Sequence, residues 1–155
     1  MMERREAFWQ DRFYRFEHAA RALFEPPEPR DLPAGDLREL AGRAFSRYPD
    51  FWFPVVFCFA PGRDVGLCHW DGERITIWLP PGRQRPWCLL HEVAHAVGVA
   101  ENDGHDPRFI ERCVGLWLAL GDWPREPLRQ VAALYGCGTG RNGGRDVAAR
   151  WHVAD

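Results

Sequence analysis

The chain has no lysine: all twenty of its basic residues are arginine. Its net charge is −2 with no long basic run, so it carries no electrostatic footprint for nucleic acid. Paired cysteines are missing too. The five present (Cys58, Cys68, Cys88, Cys113, Cys137) are odd in number and form no C-x-x-C. That argues against a disulfide framework and against a cysteine-built zinc knuckle, and free thiols suit a reducing cytoplasm. Methionine is confined to Met1 and Met2. No stretch approaches membrane-spanning length. The N-terminal run "MMERREAFWQDRFYRFEHAARALF" is charged throughout and has no apolar segment of signal-peptide size. The expectation is a soluble cytoplasmic protein.

What the chain does have is aromatic mass, with eight tryptophans and ten phenylalanines in 155 residues. That is enough for one domain with an aromatic-rich core. Phe8, Phe13, Phe16, Ala20 and Leu23 fall at roughly helical spacing and predict a first helix. "EPPEPRDLP" breaks it, and Asp36 is positioned to cap a second helix that stops before Pro49. The runs "FPVVFCFAPG", "VGLCHW" and "ERITIWLPPG" then read as three short strands. Asp71-Gly72 between the last two is a hairpin signal. In the third run Ile75, Ile77 and Leu79 alternate with Thr76 and Trp78. Pro86 can open the next helix, Asp106-Pro107 another, and Pro124 a last one ending at Gly136. The order predicts an α+β domain over residues 1–136. Its parts are N-terminal helices (3–48), a sheet (53–80), a helix at 86–98 and C-terminal helices (107–135). A Gly-rich tail follows at 137–155, with room for a short helix at Val147–Val153.

The helix at 86–98 holds the chemistry. Leu90, Val93, Ala94 and Val97 form one apolar stripe. His91 and His95, one turn apart, can reach a single cation, and Glu92 is offset toward water beside it. This is H-E-x-x-H: two zinc ligands and a general base on one rigid element. With this composition, roughly 0.02 such matches are expected by chance, which counts against an ordinary helix face.

A catalytic zinc takes a third protein ligand and keeps one position open. Glu101 falls where H-E-x-x-H-x-x-G-x-x-H proteases place theirs. Those enzymes also need a methionine turn, and both methionines here lie at the N-terminus. Glu111 is a second carboxylate candidate, close in sequence to His95 for a ligand from a later helix. Asp106 serves better as a helix cap. His105 sits just before that cap, after a loop long enough to fold back, and is the favoured third ligand. Cys88, three residues before His91 and on the metal side of the helix, reads as a small half-buried thiol rather than a ligand. His69 and His152 lack any partner pattern, Tyr135 reads as a packed tyrosine outside the site, and Trp117 and Trp123 read as core.

His91-Glu92-x-x-His95, a loop, and then His105-Asp106-Pro107-Arg108-Phe109 resemble the SprT-like minimal zincins. Their signature is H-E-x-x-H followed by a loop and H-G-P-x-F or H-S-x-x-F. Small metallohydrolases of high-GC bacteria are similar in length and element order. The resemblance is specific over residues 86–110 and organisational elsewhere, and it departs at Asp106, where the family has Gly or Ser. It implies a minimal-zincin fold with a small three-stranded sheet. It also implies Zn²⁺ held by His91, His95 and His105, with Glu92 as catalytic base. The function expected is a metalloprotease acting on extended or unfolded polypeptide. An exposed strand would pair with the substrate, and "ERITIWLP" is the natural candidate because it leads into the metal helix. Two other readings stay open: a zinc hydrolase of a non-peptide amide or ester, and an inert zincin-fold binding module. An intact Glu92 counts against the second.

Overall fold

A computed structural model describes residues 2–101 and 104–138, with side chains from residue 5 onward. The tail at 139–155, and with it the short helix expected at Val147–Val153, lies outside the described residues. The described chain is a mixed α+β structure. It runs α1 (Met2–Phe24), α2 (Ala34–Phe45), β1 (Val55–Cys58), β2 (Leu67–Trp70), β3 (Ile75–Trp78), α3 (Pro86–Val97), α4 (Pro107–Leu120) and α5 (Arg125–Leu134).

Local chemistry sets most of these boundaries. Asp71 Oδ1 accepts the backbone N–H groups of Glu73 and Arg74, both at 2.9 Å. Gly72 takes φ 99°, and together they close the hairpin from β2 to β3. Pro86 occupies the first turn of α3, where its missing N–H costs nothing. One boundary differs from expectation. α2 starts at Ala34, after an extended Pro33, and Asp36 lies inside the first turn with no capping hydrogen bond. The proline pre-sets the helix entry, and the carboxylate there still favours the positive end of the helix dipole.

The sheet order is β1-β3-β2. β3 pairs parallel with β1 (Val55↔Ile75 to Cys58↔Trp78) and antiparallel with β2 (Leu67↔Trp78 to Trp70↔Ile75). It is therefore the central strand, hydrogen-bonded on both sides. The expectation that "ERITIWLP" offers an edge to substrate is thereby corrected: among the described strands, β1 and β2 lie at the edges. The alternation in β3 holds, with Ile75, Ile77 and Leu79 fully buried.

The described elements group into two compact units. In one, α3 packs against α2, β2 and β3. Its core joins Leu37 and Ala44 of α2 to Ile75, Ile77 and Leu79 of the sheet and to Leu89, Leu90, Val93 and Ala94 of α3. The other holds α1, α5 and α4 through Ala119. Phe13, Phe16 and Ala20 form the buried stripe of α1, whereas Phe8 and Leu23 are 52% and 64% exposed. Phe8 lies about 140° around the helix from Phe13, and its ring carries the Arg12 guanidinium, 4.7 Å from the centroid. Phe13 packs edge-on to Phe109 at 5.2 Å, and Trp117 contacts Trp123 at 5.1 Å. Trp117 and Trp123 are core, as the sequence indicates.

Candidate metal centre

α3 is less amphipathic than its sequence suggests. Nine of its twelve residues are buried, including His91 and Glu92 at 8% and 5% exposure. These two are the only buried polar or charged side chains among the described residues. Withdrawing a carboxylate and an imidazole from water is costly unless something compensates them, so such a pair marks a site rather than a surface. The His91 and His95 rings stand 5.0 Å apart, as one helical turn dictates.

The entrance to α3 is fixed by a residue that the sequence did not single out. Asp31, in the loop before α2, accepts the N–H of Gly82 at 2.6 Å and that of Gln84 at 3.1 Å. Leu32 N–H donates to the Gln84 carbonyl at 2.7 Å. The segment leading into the histidine helix is thereby pinned from both sides of its backbone. Nothing in a Pro-rich loop points to this, because the partners are some fifty residues apart in the chain.

His105 is held by aromatic rings and by the start of α4. Its imidazole stacks on Phe13 at 5.6 Å and contacts Tyr14 at 4.9 Å and Phe109 at 4.7 Å. The next residue caps the helix as expected: Asp106 Oδ1 accepts the N–H groups of Arg108 at 2.8 Å and Phe109 at 3.1 Å.

Each of His91, His95 and His105 offers one ring nitrogen, and these three atoms lie within 4.8 Å of one another, close enough to hold a metal ion. Three imidazoles with no thiolate or hard-oxygen donor are a set that suits zinc better than calcium or magnesium.

The remaining candidates fall elsewhere. Glu101 and Glu111 are exposed and not members of this group. Cys88 is a buried thiol, also outside it. His69 is exposed on β2, and His152 lies outside the described residues. Tyr135, at the end of α5, lines a cleft of about 490 Å³ with Tyr14 and His18 of α1. On β2, burial pushes the Cys68 thiol up to about 12, and the nearby Glu92 carboxylate adds to the shift. Cys68 thus stays a neutral thiol beside that carboxylate. No protein-family model, curated protein or solved structure matches the chain.

Proposed function

We propose that the protein is a zinc-dependent hydrolase of the minimal-zincin kind, acting on peptide bonds. The observation that carries this reading is the meeting of three imidazoles with a buried carboxylate on the same helix as two of them. His91, His95 and His105 would hold the ion. When bound, zinc would supply Lewis acidity, polarising a scissile carbonyl and making water more acidic.

The chain's own groups supply the rest. Glu92, shielded from bulk water, takes a proton from the attacking water at its carboxylate and passes it to the departing amine. Its burial keeps competing solvent away from that oxygen. The neutral Cys68 thiol adds no second negative charge beside it. For an extended substrate, strand addition falls to β2, whose outer edge pairs with no other described strand. β2 packs directly on α3. Recognition through backbone hydrogen bonds suits unfolded polypeptide of varied sequence.

The test compares wild-type protein with Glu92→Gln, which keeps shape and removes the base. Zinc content should be unchanged, and cleavage of an unfolded protein should fall by about 10²–10⁴-fold. Equal activity in the two proteins would sink the mechanism. Cleavage of small esters or amides, with unfolded protein left intact, would move the assignment to a non-peptide hydrolase.

A further inference from the structure

Gly66 ends the loop between β1 and β2, immediately before Leu67 opens the strand. Its backbone is not in the left-handed region that favours glycine, so chain geometry alone does not call for glycine here. Space does. A Cβ built at Gly66 would stand 2.6 Å from Glu92 Oε1, 2.9 Å from Cys88 Sγ and 3.3 Å from Glu92 Cδ. Cys88 and Glu92 are four residues apart and present neighbouring side chains on one face of α3. The bare α-carbon of Gly66 therefore lies against the face that carries the carboxylate.

We propose that Gly66 is a positioning residue: its missing side chain defines the space in which the Glu92 carboxylate sits. The proposal rests on Glu92 being the general base. The direction of the response follows from stiffness. Behind Gly66 the chain enters a strand hydrogen-bonded to β3. Cys88 has a single side-chain torsion on a buried helix, whereas Glu92 has three. A methyl group at position 66 therefore displaces the carboxylate first, while the fold keeps its backbone. A base displaced by about 1 Å can lose on the order of 10²-fold in rate.

The experiment uses Gly66→Ala in the full chain, with Gly42→Ala as control, because a Cβ at Gly42 meets nothing within 4 Å. Three quantities are read: zinc affinity by chelator competition, kcat and KM on an unfolded protein, and the ¹³C resonance of the Glu92 carboxylate. That resonance is assigned by its loss in Glu92→Gln and is followed in zinc-free and zinc-loaded protein. In Gly66→Ala the resonance should move and kcat should fall about 10–100-fold, with KM and zinc affinity within about twofold of wild type. On a Glu92→Gln background, Gly66→Ala should have no further effect on kcat.

An unmoved resonance overturns the proposal, as does a moved resonance with wild-type kcat. Loss of zinc in parallel with activity would make Gly66 merely structural and also overturns it. Should Gly66→Ala fail to fold, Gly66→Ala/Cys88→Ala removes the thiol contact and leaves the carboxylate contact to be read in the same way. If wild-type protein hydrolyses nothing, the hydrolase reading fails by itself. The Glu92 resonance then still decides whether Gly66 places the carboxylate.

Discussion

His105 decides whether the two histidines of α3 become a three-ligand centre, and its surroundings are unlike theirs. His91 and His95 are set by helical spacing alone. His105 is fixed by ring contacts to Phe13, Tyr14 and Phe109 and by the capped start of α4. Removing it should leave a two-histidine site, which binds zinc far more weakly. His105→Ala is therefore expected to purify with little zinc, against about one ion per chain in wild type. Glu101→Ala and Glu111→Ala, at exposed positions outside the group, should keep a full complement. Elemental analysis of the four proteins checks this, and an empty Glu101→Ala or Glu111→Ala beside a loaded His105→Ala would reverse the ligand assignment. His91, Glu92 and His95 could be read from sequence because their relation is local, a fixed rotation on one helix. Gly66 and Asp31 could not. Each acts on α3 across a long stretch of chain, and a lone glycine or aspartate in a loop has the signature of an ordinary turn residue.

At the level of elements, α4 begins just after His105, so helix stability and the position of the proposed third ligand are linked. Asp106 satisfies two of the unpaired N–H groups at that end. Asp106→Ala should cost about 0.5–2 kcal/mol in urea unfolding. It should also weaken zinc binding, because the residue just before the cap loses its fixed starting point. Asp106→Asn, which keeps the acceptor, should recover most of both. Weakened zinc binding in the Asn variant equal to that in Ala would mean that the charge, not the cap, matters. The helices and the three strands were legible because their periodicities, their proline starts and the Asp71-Gly72 turn are all local signals. Strand order was not. β1 and β3 pair directly in parallel although β2 lies between them in sequence, and alternation in β3 says which residues face the core without saying how many neighbours the strand has. Under the proposed function the edge open to substrate is that of β2, not of the strand that leads into α3, and the loop entering β2 carries Gly66.

At the scale of the whole chain, two thiols, half-buried Cys68 and buried Cys137, tie stability to alkaline pH. Burial pushes Cys68 up to about 12 and Cys137 up to about 11, the latter partly opposed by the Arg12 charge, from an ordinary value of 9.0. A raised folded pKa means that the native chain holds these protons more tightly than the unfolded chain does. The stability they contribute is complete below pH 9 and is lost as pH rises through the window toward 11–12. By pH 10.5 each thiol should raise the unfolding constant by roughly 25- to 30-fold. Urea unfolding in the presence of chelator, which removes metal-linked protons, should show a flat stability up to about pH 8.5 and a steep decline above it. Cys68→Ala/Cys137→Ala should show a shallower decline. Each single variant should remove about half of the difference, since Cys68 lies on β2 and Cys137 follows α5, in different units. An identical slope in wild type and double variant would show that neither thiol keeps its proton in the folded chain. It would also remove the neutral Cys68 from beside Glu92, leaving that carboxylate next to a second negative charge at high pH.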